Sequence, residues 1–341
     1  MKLITFAVPS YNSQDYLYKC IDSLVIGGSE VEVIIVNDGS SDNTETIARD
    51  YEKRFPEIVR VVSKINGGHG SAVNEGLKYA TGLYYKVVDS DDWLNEDALQ
   101  KFLNTLRKHY QENTLADLYI TNFIYDKVNE NKYFVRTFKR HFINEAFINW
   151  KMAKKFYGSQ VLLMHSLTYN TEKLKQSNTI LPHHTFYVDN LFAYKPLPFM
   201  EKIYYMDINL YHYFIGREDQ SVNIKVFTKR YDQQIRVMKE MVKAYSYQEI
   251  KQFDKRLRDY MFHCLEAIMM ITILFTVAKD GKERRDDLED LWKFIKHQDV
   301  KLYKMLRFRS FPAIVNYIPW RLRGIVMVIG YKYLRRRLKL G

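Results

Sequence analysis

The chain has almost no cysteine. Its 341 residues include two, Cys20 and Cys264, far apart and in no metal-binding spacing. That excludes a disulfide scaffold and points to reduced, buried thiols in a cytosolic protein. Nor is there an uninterrupted apolar run of the ~20 residues that a transmembrane helix needs. The best candidate, AIMMITILFTVA at 267–278, is bracketed by Glu266 and Lys279 and reads as a buried helix. The N-terminal MKLITFAVPSYN ceases to be apolar at Pro9, too soon for the apolar region of a signal peptide, so a buried first strand is expected.

Acidic residues are missing from one region. Residues 301–341 hold Lys301, Lys304, Arg307, Arg309, Arg321, Arg323, Lys332, Arg335, Arg336, Arg337 and Lys339, with no Asp or Glu. Eleven of the twelve net positive charges therefore lie in this tail. The first 300 residues are nearly neutral, and the tail needs its own explanation.

Several signatures are absent as well. No HExxH occurs, and no GxxxxGK[ST], so a zinc protease and a P-loop kinase are poor fits. The glycines at 68 and 70 lack the third glycine of a dinucleotide fingerprint, because position 73 is Val73. An EF-hand is excluded at 89–94, where Trp93 and Leu94 occupy positions needed for a ligand and a glycine.

What is present is an alternation of periods. Short β-rich runs at 3–8, 31–36, 59–63 and 84–88 are each followed by a helical stretch, at 14–25, 42–54, 70–80 and 95–108. Strand and helix in turn imply right-handed βαβ units, a mostly parallel sheet and helices on both faces. Ligands of such sheets bind at the carboxyl ends of the strands. The polar clusters PSYN, NDGSSDNT, KINGGHGS and DSDDW all fall at those ends.

Beyond residue 115 the rhythm changes. DLYITNFIYD and KYFVRTFK read as an antiparallel pair, 144–156 as a helix, VLLMHSLTYN as a strand, TEKLKQSN as a short helix and KIYYMDINLYHYFI as a strand. From Phe227 to about Gln298 the pattern is helical, broken around 279–287. The expected organisation is a nucleotide-sugar-binding half at 1–115, an acceptor-binding half at 116–225 and a helical region at 226–341.

The chemistry concentrates in VVDSDDW. Burying Asp89, Asp91 and Asp92 together is unfavourable without positive charge among them. Asp89 and Asp91, two apart, can share one hard divalent cation with phosphate oxygens. Asp38, at the end of the second run, is placed to accept from a base or ribose edge, while Ser40 to Asn43 suit a helix cap. NGGHGSAVNEG offers backbone N–H groups to an anion.

VPSYN, VNDGSSDNT, NGGHGSAVNEGL and VVDSDDW, in this order and spacing, resemble a family 2 glycosyltransferase of the GT-A fold. TFYVDNLFAY at 185–194 and YHYFIGREDQSV at 211–222 extend the resemblance. It implies inverting transfer from a nucleotide diphosphate sugar, usually a UDP-sugar. By the same resemblance Pro9, Tyr11 and Asp38 line the nucleoside pocket, with Asn66 and Gly67 nearby. Asp89 meets the ribose or the metal shell, and Asp91 ligates Mn²⁺ or Mg²⁺. Inversion needs a carboxylate opposite the leaving group, and Asp189 is the expected base.

The chain departs from the family pattern in three places. Val188 stands where a Glu commonly precedes the base. Val73 stands where an Arg often serves the donor, leaving His69 or Lys64 to supply that contact. The QxxRW of processive members is absent, which favours single additions. In YHYFIGREDQSV, Arg217 is the expected diphosphate ligand, with His212 and Ser221 as further candidates, because a guanidinium fork matches phosphate.

RLRGIVMVIGYKYLRRRLKLG has the composition of an interfacial helix on an anionic membrane, with Trp320, Tyr331 and Tyr333 as interface aromatics. Nucleic acid is disfavoured, since no binding motif accompanies the charge. A glycan or lipid-linked acceptor follows from the tail and the resemblance, as does a cytoplasmic location at the inner face of the plasma membrane. The rival readings are a sugar-nucleotide pyrophosphorylase, whose glycine-rich loop with Lys and Arg VPSYN lacks, and a non-catalytic nucleotide-sugar-binding scaffold.

Overall fold

A computed structural model describes residues 1–127, 132–158, 160–215, 224–310 and 312–337. The chain divides into two compact units. One comprises Met1–Ala153 with Leu162–Gly216, the other Lys154–Val161 with Arg217–Gly341.

The first unit is built on one sheet. Strand β1 (Ile4–Ser10) is followed by helix α1 (Leu17–Val25), β2 (Val31–Asn37) by α2 (Thr44–Arg54), and β3 (Val59–Ser63) by α3 (His69–Tyr79). β4 (Tyr84–Val87), a short β5 (Trp93–Leu94) and α4 (Glu96–Gln111) complete the alternating part. Every residue of β1 and β2 is buried, including Thr5 and Glu32, which is why both read as largely apolar runs rather than alternating ones. β3, β2, β1 and β4 are mutually parallel, with Ser10 level with Asn37 and Asn37 with Ser63. The carboxyl ends therefore form one edge.

The remaining strands are β6 (Leu118–Lys127), β7 (Lys132–Arg136), β8 (Phe147–Ile148), β9 (Leu167–Asn170) and β10 (Ile203–Phe214), with helices α5 (Thr171–Gln176) and α6 (Asp189–Tyr194). The main order is β3-β2-β1-β4-β9-β6-β10-β5. β9 runs antiparallel to both β4 and β6, and β6 pairs antiparallel with β7 as expected. The α/β class with a mostly parallel sheet is thus as the sequence indicates.

The helix expected at 144–156 does not form. Phe147 and Ile148 instead pair antiparallel with Tyr204 and Ile203, and a 3₁₀ turn at Trp150–Met152 follows. The Trp150 indole donates to the Met200 carbonyl at 2.9 Å. A distant strand claims these apolar side chains, overriding their helical spacing.

The second unit is helical: α7 (Ile224–Phe227), α8 (Tyr231–Ala244), α9 (Tyr247–Gln252), α10 (Lys255–Val277), α11 (Lys282–Gln298), α12 (Val300–Lys304), α13 (Ala313–Asn316) and α14 (Trp320–Arg337). The break expected at 279–287 is shorter, because KERRDD already belongs to α11. α10 is longer than its apolar segment. At 23 residues it reaches membrane-spanning length and hydropathy, yet 67% of its most apolar window is buried, as in a core helix. Cys20 and Cys264 are free and buried.

Candidate active site

The parallel edge gathers the motif loops. Asn12, in a left-handed conformation with φ 48°, accepts the Ser41 N–H at 2.9 Å, and its own N–H donates to Ser40 Oγ at 3.1 Å. Ser13 Oγ lies 2.7 Å from Ser90 Oγ. These bonds tie the loops after β1, β2 and β4 to one another. Pro9 is buried at the end of β1, and the neighbouring Tyr11 is exposed.

Asp38 organises the next turn. Its buried carboxylate accepts from Lys64 Nζ at 2.7 Å and from the Gly67 and Gly68 N–H groups at 2.9 and 2.7 Å. Asn66 Nδ2 donates to the Asp38 carbonyl at 2.8 Å. Asn66 and Gly67 thus adjoin Asp38 as the resemblance implies, but Lys64 is engaged by Asp38. Oδ1 takes two donors and Oδ2 one, which leaves Oδ2 room for another. Gly68 has φ +82°, and a Cβ there would meet the His184 backbone N at 3.0 Å, so only glycine suits this approach.

The acidic turn follows β4. Asp89 Oδ1 lies 2.7 Å from His69 Nε2 at the start of α3, and Asp89 Oδ2 lies 3.7 Å from His165 Nε2. Burial works to raise the Asp89 carboxyl, yet the two imidazoles hold it well below the usual range. His69 is raised in turn: burial opposes its charge, and Asp89, Asp189 and Asp91 outweigh that.

Asp92 points inward. It accepts from the Tyr211 hydroxyl at 2.5 Å and from the Phe214 N–H at 2.8 Å. Burial, then the charges of Asp91 and Asp89, push its carboxyl upward. Lys86, fully buried on β4, donates to the His165 carbonyl at 2.6 Å and to that of Leu167 at 3.3 Å. Burial brings its ammonium down to about 7.

Donor atoms of Asp89, Asp92 and His165 lie within 4.8 Å of one another. His165 Nδ1 is buried and makes no hydrogen bond among the described residues, and the 3.7 Å from Nε2 to Asp89 is too long for one. Two carboxylates beside an imidazole with unmet pairing fit a divalent cation. Asp91, half-buried, lies outside this trio. Asp92 already serves Tyr211 and Phe214 and Asp89 Oδ1 faces His69, which leaves Asp89 Oδ2 and the His165 imidazole as the atoms of the trio with room for a cation.

Asp189 opens α6. Val188 is the N-cap, without a side-chain cap bond, and Asp189 Oδ1 lies 3.4 Å from Asn190 Nδ2. Burial raises its carboxyl, Asp89 adds to the rise, and His165 and His69 oppose it. The structure therefore brings Asp189, Asp89, His69 and His165 into one electrostatic neighbourhood, although 100 residues separate Asp89 from Asp189. Arg217 and Ser221 lie outside the described residues. His212 is committed elsewhere: its Nδ1 lies 3.0 Å from Asp126 Oδ2, and its ring stacks on Trp93 at 5.1 Å.

Sequence reasoning missed His165, Tyr211 and Lys86. His165 and Lys86 stand in no motif, and Tyr211 opens YHYFIGREDQSV without being singled out there; each is a polar side chain inside an apolar strand pattern, brought to the site by sheet pairing.

The family model described as Glycosyl transferase family 2 matches residues 5–171. Glycosyltransferase GlyA of Streptococcus pneumoniae is 27% identical over 234 residues, covering 67% of this chain and 32% of its own. Poly(ribitol-phosphate) beta-glucosyltransferase of Bacillus spizizenii is 34% identical over 119 residues, covering 34% of this chain and 19% of its own. The chain thus spans a third or less of these relatives' lengths. The crystal structure of S. aureus TarS 1–349 in complex with UDP superposes with a TM-score of 0.64 at 20% identity, covering 96% of this chain and 89% of that one. The matched segment, residues 5–171, is thus a glycosyl transferase family 2 domain, and the chain has the GT-A fold.

Proposed function

We propose that the protein is an inverting glycosyltransferase that moves a sugar from a nucleotide diphosphate donor, a UDP-sugar, to a hydroxyl of a cell-wall polymer, glycan or lipid-linked saccharide. The observation that carries this reading is the gathering of Asp38 and Asp89 on one edge of the parallel strands, with the Asp189 carboxylate at the start of α6 as the base. Asp189 accepts the acceptor hydroxyl's proton as that oxygen bonds to the anomeric carbon. The bond from that carbon to the diphosphate oxygen breaks, and the nucleotide diphosphate leaves from the opposite face.

Pro9, Tyr11, Asn66 and Gly67 line the nucleoside pocket, and Asp38 Oδ2 accepts a base or ribose donor. Mn²⁺ or Mg²⁺, held by Asp91 and Asp89, neutralises diphosphate charge when bound. His69 and His165 keep Asp89 ionised for that role. Cell-wall polymers as acceptors draw support from the Bacillus poly(ribitol-phosphate) beta-glucosyltransferase, and UDP-sugars as donors from the UDP and UDP-GlcNAc complexes of TarS. The reading puts this protein at the inner face of the plasma membrane.

The test is nucleotide release across a panel of UDP-, GDP- and CDP-sugars, with Mn²⁺ and with EDTA. Slow hydrolysis of one UDP-sugar, abolished by EDTA, is expected. Silence with every donor, and no donor-dependent rise in melting temperature, would overturn the reading and leave a scaffold.

A further inference from the structure

Helix α14 (Trp320–Arg337) carries two apolar faces. One is already used within its own unit. A Cβ at Gly324 would sit 2.4 Å from the Val277 carbonyl oxygen, so the helix backbone lies directly on the end of α10. Tyr331 packs edge-on against Phe227 at 5.7 Å, and the Trp320 indole donates to Asp280 at 2.7 Å. Arg323 faces the body too, donating to the Ile318 and Asn316 carbonyls, each at 2.7 Å. Two of the three aromatics expected at an interface, Trp320 and Tyr331, are therefore anchored inward.

The other face is uncovered. Leu322, Ile325, Val326, Ile329 and Tyr333 are each between 47 and 66% exposed. Their spacing of 3, 1, 3 and 4 residues puts them on one stripe of the helix. Single exposed apolar residues are ordinary, but a contiguous stripe marks a contact surface. Arg321 and Lys332, both exposed, border it on one side by helical position. The whole of 301–341 contains no acidic residue to answer this charge.

We infer that the outward stripe of α14 docks on an anionic lipid bilayer. The stripe enters the headgroup and acyl boundary, and the flanking cations meet lipid phosphates. An apolar strip with a purely basic border complements a negatively charged surface with an apolar interior. A second copy of this chain would bring the same positive charge to the contact and be repelled. The inference is independent of the transfer chemistry.

The test is co-sedimentation of the full chain with extruded vesicles, either equimolar phosphatidylglycerol and phosphatidylethanolamine or phosphatidylcholine alone. Two double variants are compared, Ile325→Glu with Ile329→Glu, and Arg321→Gln with Lys332→Gln, after circular dichroism confirms that both fold. The wild type is expected to pellet with the anionic vesicles and to be released by high salt. Binding is expected to fall at least about tenfold in the first variant and about thirtyfold in the second. Equal pelleting of wild type and the Ile325/Ile329 variant would overturn the proposal. So would a dimer, seen by sedimentation velocity, that the same variant dissociates without any wild-type binding to vesicles.

Discussion

Tyr211 links two carboxylate residues of the acidic turn: its hydroxyl donates to Asp92 Oδ2 at 2.5 Å and accepts the backbone N–H of Asp89 at 3.1 Å. One side chain of β10 thus fixes the conformation of a loop that follows β4. Replacing it with Phe leaves a fully buried carboxylate with one fewer donor. Tyr211→Phe is expected to lower stability by about 1–3 kcal/mol. Urea denaturation checks this, and an unchanged midpoint would show that Tyr211 is only a packing residue.

Gly68 makes a second point of closure. Its positive φ and the close approach of His184 mean that Gly68→Ala adds both backbone strain and a steric contact. A loss of about 1–2 kcal/mol is expected, together with a weaker affinity for the nucleotide, because the Gly68 N–H holds Asp38 in place. Thermal melts with and without UDP separate the two effects.

How much of this was legible in the sequence follows from which interactions are local. β1 and β2 are buried along their whole length, so their composition alone announces them. Asp38, Asn66, Gly67 and Asp89 stand at strand ends, where the alternation of strand and helix brings them to one edge. Phe147 and Ile148 read as helical because their neighbours have helical spacing, and only the distant β10 makes them a strand. His165 was illegible for a similar reason. It reaches Asp89 because β9 runs beside β4, and nothing near it in the sequence encodes that pairing. Lys64, read with His69 as alternative sources of a cation for the donor, has its ammonium on Asp38, a pairing that the sequence does not encode locally.

Away from the site, His109 supplies a pH dependence. It is buried between α4 and β6, with Nδ1 2.6 Å from the Tyr119 hydroxyl, and burial depresses its pKa below the ordinary histidine value. The unfolded chain then binds the proton more readily than the folded one. Stability contributed by neutral His109 is present above about pH 6.5 and is lost as pH falls below it. His109→Phe is expected to flatten this fall below about pH 6.5, as urea midpoints measured at each pH would show. Parallel curves for wild type and variant would refute the assignment.

The central claim is that Asp189 moves the proton while Asp91 serves the donor. The most direct measurement compares Asp189→Asn and Asp91→Ala with the wild type in two assays, UDP-sugar affinity by calorimetry in Mn²⁺ and transfer to an acceptor. Asp189→Asn is expected to bind donor normally and to transfer about 10²–10⁴-fold more slowly, while Asp91→Ala loses donor affinity itself. Wild-type transfer by the Asp189→Asn variant would contradict the account.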